Sequence, residues 1–232
     1  MVTRYEATKA LGFGYWALGS GPTLEKRMSQ LALFDSTETV LVDDERGRIT
    51  YRPHFIDAAR AEAWFSALRN GVEWRSERRM MYDREVDVPR LMSSFRLDPA
   101  SPSTPDVILD ASRLVIKATA VPFNSVGLNL YRDRRDSVAP HNDHLNEIRR
   151  GCPIALVSLG ATRRMTIRAK EAPRRALNID LEAGSLFVMD YLTQLHYTHG
   201  VPKTSEPVGE RISLAFRVKH ERPAKGGGGI YR

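Results

Sequence analysis

Two histidines and an aspartate lie within four residues, in the segment His141-Asn142-Asp143-His144. Residues two apart on a β-strand point to the same side, so the imidazole of His141 and the carboxylate of Asp143 could bind one metal ion. His144 would face elsewhere unless the chain turns. Because a His-x-Asp pair is common by chance, a metal site here needs a further ligand from another part of the chain.

That further ligand is expected from the segment 194-QLHYTHGVP-202, which follows the apolar stretch SLFVMDY and contains His196 and His199. Two histidines and one carboxylate on one face of a metal are typical of non-haem iron(II) sites, which keep coordination positions open for other molecules. Zinc is the competing metal, since it accepts the same ligands.

A second polar set lies on 211-RISLAFR-217, where Arg211, Ser213 and Arg217 alternate with apolar residues. On a strand the polar side chains would share one face. An isolated strand commonly turns such a face to solvent; if the face is inward, two buried guanidinium groups need an anion, and the planar fork of arginine suits a dicarboxylate. Asn129 and Tyr131 share a face of another strand in the same way.

The elements that must position these residues are mostly strands. Residues 39–53 are expected to form two short strands around a turn at 44–47, and residues 54–70 a helix with Asp57 as a candidate N-cap. Residues 80–99 are expected to be extended chain and loop, and a second helix should begin near Thr104-Pro105 and end at Pro122. Short strands without intervening helices follow, which favours a sandwich or jelly roll.

Composition is that of a globular protein with 42% apolar and 27% charged residues, and it contains no apolar run long enough to span a membrane. The N-terminus lacks a secretory signal and the single cysteine, Cys152, cannot form an internal disulfide, so we expect a cytoplasmic protein. The net charge of +7 favours polyanions. Basic segments 132–135, 149–150 and 163–175 could contact phosphates, or the last could be a solvated hairpin.

Together these motifs resemble the AlkB-type Fe(II)/2-oxoglutarate-dependent dioxygenases. The match runs through Asn129-x-Tyr131, His141-x-Asp143, His199 followed by Val201-Pro202, and Arg211-x-Ser213-x-x-x-Arg217. It covers roughly residues 40–220. The resemblance implies an α+β, mainly β fold, with a double-stranded β-helix (jelly-roll) core and an N-terminal β/α extension that forms a nucleotide lid.

The resemblance also implies a single catalytic domain over residues 1–222, followed by a flexible glycine-rich tail at 223–232. Within the domain, about 1–100 would be N-terminal support and lid, about 104–120 a supporting helix and about 123–222 the core. The implied iron ligands are His141, Asp143 and His199. The implied 2-oxoglutarate contacts are Asn129, Tyr131, Arg211, Ser213 and Arg217, and the implied substrate contacts are Arg90, Phe95 and His144.

The expected activity is oxidative demethylation of N-alkylated bases in DNA with Fe(II), 2-oxoglutarate and O2, by a monomer with no membrane partner. Family members usually carry an acidic residue directly after the ligand aspartate, whereas this chain has His144. That departure keeps two alternatives open: a dioxygenase acting on RNA, protein or a small molecule, and a non-catalytic basic nucleic-acid-binding protein.

Overall fold

The structure, a computed structural model, describes residues 37–81 and 84–220. The predicted tail at 223–232 and residues 1–36 of the predicted N-terminal support lie outside the described residues. The strands are β1 (Thr39–Asp44), β2 (Gly47–Arg52), β3 (Arg75–Met81), β4 (Arg84–Arg96), β5 (Ser125–Tyr131), β6 (Val138–His141), β7 (Ile154–Gly160), β8 (Arg163–Ala169), β9 (Ala176–Leu181), β10 (Leu186–Met189), β11 (Tyr197–Val201) and β12 (Arg211–Arg217). The helices are α1 (Ala58–Gly71), α2 (Asp106–Thr119) and the short α3 (Thr193–His196).

These strands form two sheets in which all neighbours are antiparallel. The larger sheet has the order β1-β2-β10-β7-β12-β5-β4-β3, and the smaller has the order β6-β11-β8-β9. From β5 to β12 the chain crosses repeatedly between the two sheets, and only β8 and β9 follow each other within the smaller one, as in a jelly roll. The mainly β fold with a double-stranded β-helix core is therefore confirmed.

Alternation along β12 decides which side chains enter the space between the sheets. Ile212, Leu214 and Phe216 belong to the apolar cluster on the helix side of the larger sheet, whereas Ala215 belongs to the cluster between the sheets. Arg211 and Ser213 are buried, and the register places Ser213 opposite Asn129. The polar face of this strand thus points into the barrel, and the alternative of a solvent-facing set is wrong.

The two long helices cover the outer face of the larger sheet. Asp57 caps α1, since its carboxylate accepts a hydrogen bond from the Arg60 N–H at 2.9 Å. Trp64 and Leu68 of α1 and Ile108 of α2 enter the helix-side cluster. No helix in residues 37–81 and 84–220 is long and apolar enough to cross a membrane.

The segment predicted as extended chain and loop at residues 80–99 is mostly the strand β4, which forms a hairpin with β3. β4 continues as a partner of β5 from Leu91 to Arg96. The polar composition conceals this strand because, over residues 90–96, one pleated face borders a cavity and the other packs on the sheet's apolar side. The hairpin belongs to the predicted N-terminal extension, whose role as a lid stays a prediction.

Candidate metal centre

His141, Asp143 and His199 converge, with one possible ligand atom from each lying within 4.8 Å of the others. His141 ends β6 and lies directly opposite His199 on β11, with ring centroids 4.5 Å apart. Opposed residues on antiparallel strands share a face, which explains the pairing of the imidazoles. Asp143 lies in the loop just after β6, so the loop and not strand alternation brings its carboxylate to the site.

Close approach of β6 and β11 depends on Gly200, next to His199. A Cβ atom at this position would lie 2.8 Å from the Val138 carbonyl oxygen and 3.0 Å from the Pro140 nitrogen. Such distances exclude any larger side chain without movement of one strand. The glycine that follows His199 therefore holds the two imidazoles together.

The electrostatics of the site favour a neutral imidazole beside an ionised carboxylate. Burial, together with the neighbouring His141, lowers the pKa of His199 to about 4, although Asp143 opposes the shift. Burial alone would raise the pKa of Asp143, but Arg217 and the two imidazoles outweigh it and hold that pKa below its ordinary value. At neutral pH His199 therefore offers a free lone pair and Asp143 a negative charge, as metal binding requires.

Three further contacts fix the orientation of these groups. The Arg217 guanidinium donates to Asp143 Oδ2 through Nε at 2.8 Å, and its Nη2 lies 2.8 Å from the same oxygen. The buried side-chain carbonyl of Gln194, on α3, accepts the Asp143 N–H at 3.1 Å. His141 Nδ1 lies 2.9 Å from the Ala139 carbonyl oxygen, which must accept the proton, so Nε2 stays available to a metal.

A buried arginine begins β12, at the opposite end of the strand from Arg217. Arg211 is 1% exposed, and its Nη2 donates to Ser158 Oγ at 2.8 Å. Its Nε and Nη1 are buried without a hydrogen-bond partner. The guanidinium carbon lies 5.3 Å from the centre of the Tyr131 ring. A cation with two unused donors in a polar wall fits an anionic ligand that is absent from the protein chain itself.

The family model described as the 2OG-Fe(II) oxygenase superfamily matches residues 48–217. The chain belongs to this superfamily. It is of the AlkB type: it is 31% identical over 195 residues to alpha-ketoglutarate-dependent dioxygenase alkB homolog 3 of Bos taurus, covering 76% of this chain and 68% of that protein. The Homo sapiens protein of the same name is 30% identical over 195 residues, and the match again covers 76% of this chain and 68% of that protein.

Other relatives of this AlkB-type chain match less of it. DNA oxidative demethylase ALKBH2 of Bos taurus is 36% identical over 106 residues, 43% of this chain and 38% of that protein. A solved structure described as "The structure of OsALKBH1" has a TM-score of 0.53 and 14% identity, and the match covers 77% of this chain and 99% of that one. That likeness supports the fold. Superfamily membership makes the chain an Fe(II)/2-oxoglutarate-dependent dioxygenase that uses O2.

One cavity of about 810 Å³ contains every site residue predicted from the sequence of this dioxygenase. The lining residues include the possible metal ligands His141, Asp143 and His199, the predicted 2-oxoglutarate contacts Asn129, Tyr131, Arg211, Ser213 and Arg217, and the predicted substrate contacts Arg90, Phe95 and His144. The structure therefore brings the predicted set together around one space, while the individual roles stay predictions.

The predicted substrate contacts differ in their surroundings. Arg90 donates to Asn129 Oδ1 at 2.7 Å, so it contacts one of the predicted 2-oxoglutarate residues. Phe95 borders the cavity but packs against the helix-side cluster, because it pairs with Val126, whose side chain faces the helices. Met92, opposite Asn129, lies on the cavity-facing side of the same strand. His144 is exposed at the cavity rim.

Most of the basic residues predicted to contact phosphates have partners within the protein. Arg132 binds the carboxylate of Asp136, and Arg164 binds that of Asp180. Arg163 is 3% exposed and donates to main-chain carbonyls, so it is an internal residue and cannot contact phosphate at the surface. The basic hairpin is thus partly structural.

Sequence reasoning missed Gln194, Ser158 and Arg163. Gln194 lies two residues before His196, inside the segment 194–202, so the sequence places it near a histidine. Its contact with the Asp143 N–H could not be predicted from that position. Ser158 lies in an apolar strand directly opposite Ser213, a pairing that only the strand register reveals. Arg163 was hidden among neighbouring arginines whose side chains are exposed.

Proposed function

We propose that this AlkB-type dioxygenase oxidatively demethylates N-alkylated bases in DNA, with Fe(II) bound by His141, Asp143 and His199. The observation that carries the proposal is the convergence of these ligands in the cavity that also contains a fully buried arginine with two unused donors. One relative is named DNA oxidative demethylase, which supports the choice of substrate.

The possible metal ligands fit iron(II). Two imidazole nitrogens and one carboxylate are the 2-His-1-carboxylate set, which leaves open positions for a bidentate cosubstrate and dioxygen. The N–H of His141 toward the Ala139 carbonyl, and the Arg217 contact to Asp143, are the outer hydrogen bonds that such ligands ordinarily have.

The polar wall fits 2-oxoglutarate. Its 2-oxo acid end would chelate the metal, while its distal carboxylate would accept hydrogen bonds from Arg211 Nε and Nη1, the two buried nitrogens without a partner. Ser213 and Asn129 lie opposite each other on neighbouring strands and would be available to the cosubstrate's polar atoms. A dicarboxylate therefore matches the charge that the wall leaves uncompensated.

Held by His141, Asp143 and His199, iron with 2-oxoglutarate and O2 would supply the oxidation that removes the N-methyl group as formaldehyde and restores the base, while 2-oxoglutarate would become succinate and CO2. The protein's part is to orient the ligands through Arg217 and Gln194 and to bury the cosubstrate away from water.

A base must leave the stack to enter such a cavity, and this costs least for a lesion that cannot pair. Among the described residues of the basic segments, Arg149 and Arg150 are exposed and form no ion pair, so they are candidates for phosphate contacts. They follow the ligand Asp143 closely in sequence. Phosphate contacts of this kind raise affinity without selecting the lesion.

The test is succinate and formaldehyde production on oligonucleotides containing 1-methyladenine or 3-methylcytosine, in DNA and in RNA, with unmodified strands as controls. The proposal predicts that methylated DNA raises both products in equal amounts, and that D143N abolishes this increase. If no methylated nucleic acid raises succinate above the unmodified control, the proposed substrate is wrong.

A second candidate keeps the enzyme and changes the substrate to RNA, a protein or a small molecule. The exposed His144 at the cavity rim favours it, because an imidazole replaces the acidic group expected there to help read the base. The same assay decides between them through the RNA strands. Membership of the oxygenase superfamily disfavours the non-catalytic alternative. The monomeric state and cytoplasmic location stay predictions.

A further inference from the structure

Arg163 is a charged side chain that the proposed reaction has not used. It begins β8 in the smaller sheet and is 3% exposed. Its Nη2 donates to the carbonyl oxygens of Asp136 and Pro202, both at 2.8 Å, and its Nη1 donates to that of Asp133 at 3.1 Å. One guanidinium thus joins the loop after β5 to the residue that follows β11.

All three acceptors are neutral, so the charge of Arg163 stays uncompensated by an ion pair within the described residues. The nearest candidate, the Asp136 carboxylate, is already held by Arg132 Nε at 2.8 Å and Nη2 at 2.9 Å. The Asp133 carboxylate is held by Arg135 in the same manner. Burial lowers the pKa of Arg163, as expected for a cation that lacks a close carboxylate.

The Tyr131 ring connects this cation to the cosubstrate wall. The guanidinium carbon of Arg163 lies 5.5 Å from the ring centre, and that of Arg211 lies 5.3 Å from the same centre. Tyr131 is itself buried and ends β5, immediately before the loop that Arg163 holds. Two cations and a phenol therefore form one buried group, which we name the Arg163–Tyr131–Arg211 stack.

We propose that Arg163 is a positioning residue for the distal carboxylate of the cosubstrate. It holds Tyr131 and the loop at 132–137 in place, and it adds a second positive charge beside Arg211. Because the three carbonyls use its donors, Arg163 acts through its packing on Tyr131 and through its positive charge. Arg211 makes the direct contact with the distal carboxylate. This inference rests on the proposed cosubstrate site and adds a residue to it.

The test compares R163M and R163K with R164M. Arg164 is the matched control, since it is the next residue on β8, points outward and pairs with Asp180 at the surface. Binding is measured without oxygen, by titrating 2-oxoglutarate into Fe(II)-loaded protein and following the visible charge-transfer absorption. Iron affinity is measured separately by competition with a chelator, and turnover gives KM and kcat for 2-oxoglutarate.

We expect R163M to weaken 2-oxoglutarate binding about tenfold and to raise its KM equally, with iron affinity and kcat within about twofold of wild type. R163K should recover part of the lost 2-oxoglutarate affinity, because lysine keeps the positive charge but lacks the planar guanidinium group that reaches all three carbonyls. A 2-oxo acid without a distal carboxylate, such as 2-oxobutyrate, should bind R163M and wild type equally. R164M should match wild type in every measurement.

Equal 2-oxoglutarate affinity in R163M and wild type would overturn the inference. So would an equal loss for 2-oxobutyrate, or a parallel loss of iron, because either result indicates a general structural role. If R163M does not fold, R163K decides by the same criteria. These results do not depend on methylated nucleic acid, so failure of the demethylation assay leaves them standing. Wild-type protein that binds no 2-oxoglutarate refutes both proposals.

Discussion

Replacement of Arg211 by methionine should separate cosubstrate binding from protein stability. In the protein alone, this buried guanidinium makes one hydrogen bond, to Ser158, and leaves two nitrogens without partners. A buried charge without a counter-ion costs free energy, and apolar replacements of similar volume at buried ionic sites are often neutral or stabilising by about 1–4 kcal/mol. R211M should therefore be at least as stable as wild type when iron and 2-oxoglutarate are absent.

The affinity for 2-oxoglutarate, in contrast, should fall in R211M. Two charge-assisted hydrogen bonds to its distal carboxylate contribute about 1.5–3 kcal/mol each, or about 3–6 kcal/mol together. Their loss corresponds to roughly a 10²- to 10⁴-fold weaker affinity for 2-oxoglutarate. R211M removes the hydrogen bond to the Ser158 hydroxyl both with and without 2-oxoglutarate. This loss therefore does not contribute to the change in 2-oxoglutarate affinity.

Two measurements check this prediction. Thermal or denaturant unfolding of the metal-free protein gives the stability, and anaerobic titration of Fe(II)-loaded protein gives the 2-oxoglutarate affinity, with R164M as the control. If R211M binds 2-oxoglutarate within about threefold of wild type, Arg211 does not contact the distal carboxylate. A marked loss of stability in the metal-free variant would mean that Arg211 is compensated by a counter-ion within the protein.

Three other changes test the metal centre. D143N should abolish iron binding and lower the free energy of unfolding of the metal-free protein by about 1–3 kcal/mol, because Arg217 loses its charged partner; unchanged stability would show that the pair contributes little. Q194M should weaken iron binding about tenfold in chelator competition, since the Asp143 N–H loses its acceptor, and an unchanged affinity would refute this positioning role. G200A should destabilise the protein by about 1–3 kcal/mol and lose iron, because the added Cβ atom separates β6 from β11. G209A is the control, since a Cβ atom there would meet only one ordinary contact at 3.6 Å, and it should change neither stability nor iron binding. Equal behaviour of the two variants in unfolding and metal analysis would show that the close approach at Gly200 does not matter.

Sequence spacing was sufficient to pair His141 with Asp143 and to group the polar residues of β12, because that geometry is local, whereas the choice of His199 over His196 came from the family resemblance. Residues that alternate on a strand keep the same face wherever the strand lies, so Arg211 and Ser213 could be placed on one face before the fold was seen, although the direction of that face could not. Asp143 shows the limit of that argument. It reaches the site through a loop, although strand alternation from His141 predicts the same outcome.

The contacts that cross between strands could not be read from the sequence. The pairing of Ser158 with Ser213, and the reach of Arg163 to three carbonyls, depend on register and on which sheet each strand joins. Phe95 illustrates the same limit, because its alternation with Met92 was knowable but the identity of the inward face was not. Such facts follow from tertiary pairing, to which local composition carries no guide.

The central claim is that one iron ion binds to His141, Asp143 and His199 in the cavity that also holds the cosubstrate. Its most direct test is anaerobic loading of wild type and H199A with Fe(II) and 2-oxoglutarate, with metal analysis and visible absorption on the same samples. The account predicts one iron and one 2-oxoglutarate per chain with a charge-transfer band in wild type, and loss of iron and band in H199A. Equal iron content and an equal band in the two proteins would contradict it.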